Sequence, residues 1–295
     1  MISIIISSAR PQLLQQAKAN IANTIGVPFE LLTYNNGNAE KGICEIYNQG
    51  ARDAQYSILC YMHEDLDIKT QNWGNVVIDL FNAHHDLGVV GVAGSSYKSY
   101  APAAWNPTPG DNTFVSCNYI QSFKQKNVAS VHYESNIAAA RTAEVICVDG
   151  MWFCTPKHAA LLQPFDQVLL KGFHCYDIDY CLSLFGKYKV LVTFDVLLEH
   201  FSEGHYDCSW LQDTLSIHEK WQHKLPLSLA ESSAKAKLKV EKTAYKYLIK
   251  KFVECTYPKD SIITLLSSHR REGKITLHLY LKLLYYVYRF YRAAL

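Results

Sequence analysis

The sequence predicts an α/β fold with a mainly parallel sheet and flanking helices, followed by a basic helical extension. Three observations carry that prediction. Short β-branched or apolar runs alternate with stretches of helical spacing over roughly the first two hundred residues, the pattern of βαβ units. Of the 295 residues, 49% are hydrophobic and 19% charged, which supports a sizeable core and argues against wholesale disorder. Charge is also unevenly divided. Residues 1–223 hold 14 Lys and Arg against 22 Asp and Glu, and residues 224–295 hold 15 against 5. That asymmetry suggests two units, an acidic body over 1–223 and a basic extension over 224–295.

Ser3 to Ser7 reads as the first strand, and Ser8-Ala9-Arg10-Pro11 as the polar loop after it. Leu13 to Ile25 has helical spacing and closes at Gly26. Phe29 to Tyr34 is the second strand, and Asn35-Asn36-Gly37-Asn38 a strong turn signal. Ile43 to Ala54 is the second helix and Ile58 to Met62 the third strand. Parallel crossovers are right-handed, so the loops after these strands meet along one sheet edge, where open α/β sheets bind ligands. That edge gathers Ser7, Ser8 and Arg10, then Asn35 and Asn36, then His63-Glu64-Asp65-Leu66-Asp67.

Three carboxylates crowded at a strand end repel one another unless a cation or proton offsets their charge. Hard divalent cations prefer oxygen ligands, and a diphosphate brings its own. The stretch therefore suggests a Mg2+ or Mn2+ site for a nucleotide-linked substrate. An acidic loop after a core strand is the plain alternative.

Farther on, Trp73 to His85 reads as a helix and Gly88 to Ala93 as a strand. Ser95 to Phe123 is long, aperiodic and rich in Pro, Gly, Asn and aromatics, so it reads either as a mobile substrate loop or as a surface excursion. Glu144 to Val148 is a β-branched strand before Asp149-Gly150-Met151-Trp152-Phe153. Asp177-Ile178-Asp179 opens a helical run ending at Gly186, where the acids also suit a plain capping role. Val190 to Phe194 is a further strand, leading to Glu199-His200-Phe201-Ser202-Glu203-Gly204-His205.

In order, the Ile-rich first strand, GICEIYNQGARDAQYSILCYMHEDLDI, VDGMWFCTPK, GFHCYDIDYCLSLFGKYK and EHFSEGHYDCSW resemble the family 2-like glycosyltransferases with a GT-A (Rossmann-like) fold. The resemblance covers roughly residues 2–225. It implies that His63-Glu64-Asp65 stands for the DXD triplet, with Asp65 as the metal carboxylate. His63 occupies a place where many relatives have Asp, and Asp67 falls outside the triplet. His200 matches a His near the diphosphate or metal, so His63, Asp65 and His200 form the implied metal set for Mn2+ or Mg2+. Ser7, Ser8, Arg10, Asn35, Asn36, Gly42, Asn48 and Glu64 are implied to serve the nucleotide sugar. Asp149, Gly150, Met151, Trp152, His174 and Tyr176 are implied to lie under donor sugar or acceptor. Tyr176-Asp177 matches the family's Glu-Asp pair, with Tyr in place of Glu and Asp177 in the general-base position.

The residue types suit that chemistry. A sugar hydroxyl needs a positioned carboxylate to take its proton, and metal charge stabilises a departing nucleotide diphosphate. One base without a second nucleophilic carboxylate implies single displacement with inversion. The expected reaction moves a sugar from a nucleotide-diphosphate sugar to a hydroxyl of a glycan or lipid-linked acceptor, in polysaccharide or lipopolysaccharide assembly. Two other readings stay open, a nucleotidyltransferase and a catalytically silent carbohydrate- or nucleotide-binding relative. SSARP is not the Gly-rich basic loop that the first would show after its first strand. A nucleic-acid-binding module fits poorly with an acidic body lacking RNP, KH or helix-turn-helix signatures.

The extension reads as Lys-rich helix over 226–254 and as a second helix over 274–295. Wound at about 100° per residue, Lys274, His278, Lys282, Arg289 and Arg292 fall within an arc of roughly 80°. Most aliphatic residues fall opposite, Leu281 excepted. The pattern fits a helix lying on a membrane surface; a helix docked on the body and a dimer contact are the alternatives. The N-terminal run lacks a basic n-region and is too short for a signal peptide, and no stretch of about 18 apolar residues suggests a span. Nine cysteines without a CxxC pair read as reduced, buried thiols. The expected location is cytoplasmic, peripheral on the inner membrane face.

Overall fold

The computed structural model describes residues 1–108, 110–124, 127–136, 139–229 and 232–293. Residue 109 of the expected excursion, residues 230–231 of the basic extension and residues 294–295 of the expected terminal helix lie outside the described residues.

The first half runs β1 (Ile2–Ser8), α1 (Pro11–Thr24), β2 (Phe29–Asn35), α2 (Ile43–Asp53), β3 (Ile58–Met62), β4 (Leu66–Ile68), α3 (Trp73–Ala83), β5 (Leu87–Gly91), β6 (Ala93–Ser95), β7 (Tyr97–Lys98), β8 (Val115–Gln121) and β9 (Val131–Ser135). The second runs β10 (Thr142–Val145), β11 (Cys147–Val148), β12 (Trp152–Pro156), α4 (Lys157–Leu162), α5 (Tyr176–Leu184), β13 (Lys189–Thr193), β14 (Leu198–His200), α6 (Cys208–Trp221), β15 (Leu227–Ser228), α7 (Ala234–Glu254), α8 (Lys259–Arg271) and α9 (Leu277–Ala293).

The main sheet has the order β10-β13-β5-β12-β3-β1-β2. β1 pairs parallel with both β2 and β3, and β13 parallel with β5. β12 runs antiparallel between β3 and β5. β1 is apolar on both faces because both are covered. Ile2, Ile4 and Ile6 join one core cluster with Trp73 and Trp152, while Ile5 joins the other with Tyr47 and Tyr61. Gly50 permits that second contact, since a Cβ there would meet Ile5 Cγ2 at 2.5 Å. A smaller sheet, β11-β6-β8-β14-β4, lies beyond the strand ends, with β9 on β8.

The expected strand over Glu144 to Val148 divides at Ile146: β10 stays on the main sheet and β11 crosses to the smaller one. The Ile146 and Asp149 amides donate to Ser95 and Ala93 carbonyls, so the crossing delivers Asp149 to the sheet edge. The excursion is more ordered than its composition suggests. Tyr97, Lys98, Ser99, Tyr100, Ala101 and Ala103 are buried, and the segment holds both β7 and β8.

Helices α7, α8 and α9 pack on one another. Their buried Tyr245, Leu248, Ile262, Leu266, Leu279, Leu283 and Val287 belong to the same apolar cluster as Tyr47, Tyr61 and Tyr180 of the body. Cys208 and Cys255 form a disulfide between the start of α6 and the end of α7. The expectation of nine free thiols is corrected there, because the fold brings together two cysteines 47 residues apart. The other seven are free and buried. No helix among the described residues is long and apolar enough to cross a membrane.

Candidate active site

A cleft of about 540 Å³ opens at the C-terminal edge of β1 and β3. Its lining includes Ser7, Arg10, Asn36, His63, Glu64, Asp65, Asp149, Gly150, Met151, His174, Tyr176, Asp177 and His200. Parallel strands β1 and β3 bring Ser7, Arg10 and His63 to this edge, the β10–β11 crossing brings Asp149, and β14 of the smaller sheet brings His200.

The acidic stretch divides into separate tasks. Glu64 is buried and turned toward the loop after β1. It accepts from Ser8 Oγ at 2.6 Å, from the Arg10 amide at 3.0 Å and from Arg10 Nε at 3.3 Å. Its lone pairs therefore hold the protein's own loop. Asp65 lies beside it, with Arg10 Nη2 at 3.1 Å from Oδ2 and His200 Nε2 at 3.5 Å from Oδ1. Burial works to raise the Asp65 carboxyl, but the hydrogen bond from His200 and the positive charge His63 and His200 can carry outweigh it, so the group titrates well below the usual range. Asp67 sits in β4, paired across to Glu199, and bridges to Lys69 at 2.6 Å.

His63 leaves β3 with its amide donating to Met151 O at 2.9 Å, which continues the β3–β12 ladder into the site. Its Nε2 is 2.9 Å from the Tyr176 hydroxyl, and its Nδ1 is 4.0 Å from Asp65 Oδ1. Burial, followed by the charge of His200, holds His63 below its ordinary range and favours the neutral ring. One ligand atom each from His63, Asp65 and His200 lies within 4.8 Å of the others. The carboxylate suits a hard divalent ion such as Mn2+, and neutral imidazoles are divalent-metal ligands as well.

Asp177 occupies the first turn of α5, whose N-cap residue Cys175 takes a left-handed φ of 63°. A helix N-terminus favours a carboxylate, and the Ile178 amide donates to Oδ1 at 2.9 Å. Burial and then the charge of Asp149 overcome these, and the carboxyl is raised to about 7. Among the described residues no cation pairs with it. Asp149 is itself committed: Oδ1 accepts from the Met151 amide at 2.8 Å and Oδ2 from Trp105 Nε1 at 2.6 Å.

Several expected contact residues stand behind the wall. Ser8 is spent on Glu64. Asn35 accepts from the Gly37 amide within its own turn. Gly42 lets α2 approach Lys171, whose carbonyl would lie 2.6 Å from a Cβ there. Asn48 holds the backbone of Phe165 through both ends of its amide, at 2.9 Å each. Trp152 is fully buried and meets Trp73 edge-on. None of the five lines the cleft: Ser8, Asn48 and Trp152 are buried, Gly42 is half-buried beneath Lys171, and Asn35 is exposed within its own turn. Conversely, Trp105, Lys124, Phe173 and Tyr206 line the cleft without having been singled out. The aromatic content of the excursion was the signal for Trp105; nothing in the spacing marked the others.

A family model described as "Glycosyltransferase like family" matches residues 3–224. No curated protein matches the chain. Among solved structures, the chain is similar to GalNAc-T7 crystallised with UDP, GalNAc and Mn2+, at 9% identity and a TM-score of 0.55, covering 96% of this chain and 56% of that one. The chain thus spans little more than half of that structure's length. S. aureus TarS 1-349 superposes at 9% identity and a TM-score of 0.49 over 99% of this chain and 89% of that one. Its complex with UDP-GlcNAc gives 9% and 0.48 over 99% and 90%. At such identities the first likeness speaks for the mixed α/β, GT-A architecture alone.

Proposed function

Because the chain belongs to the glycosyltransferase-like family that its residues 3–224 match, we propose that it is an inverting glycosyltransferase. In this reading it moves a sugar from a nucleotide-diphosphate sugar to a hydroxyl of a glycan or lipid-linked acceptor. The observation that carries it is Asp177. Its carboxyl, raised to about 7, lies in the same cleft as the His63–Asp65–His200 donor set. A general base works best with a proton affinity near the working pH. Of the cleft's other carboxylates, Glu64 is engaged by Ser8 and Arg10, Asp65 by Arg10 and His200, and Asp149 by Trp105 and Met151, while Glu203 is exposed to solvent. That leaves one base and no nucleophilic carboxylate, which supports a single displacement.

His63, Asp65 and His200 would hold Mn2+ or Mg2+. A divalent ion there would offset the charge of the departing diphosphate. Arg10 and Lys124, both on the cleft wall, suit the same phosphates. Trp105, Phe173 and Tyr206 supply apolar faces for a sugar ring. We place the catalytic unit in residues 1–223 and read 224–295 as its helical support.

Helix α9 has a second face. It buries Leu279, Leu283 and Val287 and leaves Leu277, Leu281, Tyr285 and Tyr288 exposed. The leucines opposite the basic arc are thus the docked ones. The exposed apolar stripe runs beside His278, Lys282, Arg289 and Arg292, a pairing that suits an anionic membrane surface.

The deciding experiment measures nucleoside diphosphate release from a panel of nucleotide sugars, with oligosaccharide and lipid-linked acceptors. One donor is expected to turn over. Release from none, with or without Mn2+, overturns the proposal.

A further inference from the structure

His63 and Tyr176, 113 residues apart, stand where the family resemblance implies Asp and Glu, and the structure puts them in contact at 2.9 Å. Within the metal-dependent reading above, we propose that the two departures form one device: Tyr176 is a positioning residue that fixes the tautomer and ring orientation of the metal ligand His63.

The argument is an accounting of protons. A phenol has one proton to give and lone pairs to receive with. The Tyr176 hydroxyl lies 3.0 Å from Gly150 O, and a carbonyl oxygen can only accept, so the phenol proton goes there. The contact with His63 Nε2 is then a hydrogen bond only if Nε2 carries the ring proton. A neutral imidazole carries one proton, so Nδ1 is left with a bare lone pair. Nδ1 is the nitrogen that faces Asp65, at 4.0 Å from Oδ1. That distance exceeds hydrogen-bond reach and suits two ligands flanking an ion. Metal-bound histidines commonly donate their second ring N–H to an outer partner that orients them.

The phenol is itself held in place. Tyr176 is buried, with its ring edge-on to Tyr47 at 5.4 Å between centroids. Gly150 is required beneath it, since a Cβ there would lie 2.4 Å from the Tyr176 hydroxyl oxygen. A carboxylate in place of the phenol could not donate to Gly150 O and would add a charge beside Asp149 and Asp177. A phenol is therefore suited to support a histidine here without a further charge.

The test uses the full chain and reads metal binding directly. Free Mn2+ is followed by EPR during titration of wild type, Tyr176→Phe, His63→Asp and the double variant, with no substrate present. Tyr176→Phe is expected to weaken Mn2+ binding about 10-fold or more. The same change in the His63→Asp background is expected to move affinity less than about 2-fold, because a shorter aspartate no longer depends on the phenol. Unchanged affinity in Tyr176→Phe, with wild type binding Mn2+, overturns the positioning role alone. No Mn2+ binding by wild type overturns the metal reading together with it. Long-range proton–nitrogen NMR of histidine-labelled wild type, with His63 assigned through His63→Gln, reads the tautomer without relying on any Tyr176 variant's folding. Protonated Nε2 supports the proposal, and protonated Nδ1 overturns it.

Discussion

Replacing Asp177 by Asn should remove transfer and stabilise the protein, and the stabilisation should depend on pH in a defined way. Burial first, then the charge of Asp149, raise the carboxyl from an ordinary 3.8 to about 7. A folded-state value above the unfolded one means that this group's contribution to stability is complete below about pH 4 and is lost as pH rises toward 7. At about 1.36 kcal/mol per pH unit, the loss is on the order of 4 kcal/mol at pH 8 and less than half of that at pH 5. An amide mimics the neutral acid, and its oxygen can still accept from the Ile178 amide as Oδ1 does at 2.9 Å. The variant should therefore match wild type near pH 4 and exceed it by roughly 4 kcal/mol at pH 8. Urea unfolding followed by tryptophan fluorescence at pH 4, 5, 6.5 and 8 measures the difference. Donor binding should survive in the same variant. Equal stability at pH 8, or a deficit at every pH, would refute the reasoning, because it would mean that the folded protein does not disfavour the ionised carboxyl. Stability surrendered at a functional group is the trade expected of an active site.

Other outcomes follow from the same geometry. Asp65→Ala should abolish the Mn2+ dependence of nucleoside diphosphate binding in calorimetry; an unchanged dependence removes its ligand role. Wild-type kcat/KM should rise with pH through about 7 as Asp177 ionises. Asp149→Asn should shift that limb to lower pH by removing a neighbouring negative charge, and a limb that stays in place would exclude this coupling. Leu281→Glu with Tyr285→Glu should lower flotation with vesicles containing anionic lipid while leaving donor hydrolysis unchanged; equal flotation rules out the α9 surface.

The sequence made the parallel half of the fold legible because each strand there is a short β-branched or apolar run followed by a polar loop. The third strand, Ile58 to Met62, has the ends expected of it. β12 was not legible. WFCTP shows no alternation, since it is an interior strand covered on both faces, and its antiparallel insertion has no local signature. The acidic stretch was legible as a site but not in its division of labour. Spacing says that Glu64 and Asp65 are adjacent; only the fold says that Glu64 turns toward Ser8 and Arg10 while Asp65 turns toward His200. The same limit hid the contact of His63 with Tyr176 and the pairing of Cys208 with Cys255. Both are long-range consequences of packing, and neither partner carries a mark in its own neighbourhood.

The basic extension looked separable by charge, but its polar contacts lead back to the cleft. Glu241 on α7 accepts from the Tyr97 hydroxyl at 2.7 Å and from the Tyr100 and Ala101 amides at 2.8 and 3.0 Å. Four residues after Ala101, Trp105 donates to Asp149. Near the other end of α7, Lys251 donates to Tyr206 O at 2.8 Å, and Cys255 is bonded to Cys208. Tyr206 and Trp105 both line the cleft, so one helix holds backbone beside each of two wall residues that come from distant parts of the chain. The buried Lys98 adds to the first hold, donating to Ala103 O at 2.7 Å with His218 of α6 at 2.8 Å. A wall built from the excursion would otherwise be a long loop with few contacts of its own, and loops of that kind open at little cost. By tying it to α6 and α7, the fold fixes Trp105, and Trp105 in turn fixes the Asp149 carboxylate whose charge helps to raise Asp177. The proton affinity of the proposed base is thereby linked, through three named contacts, to a helix that begins more than fifty residues farther along the chain.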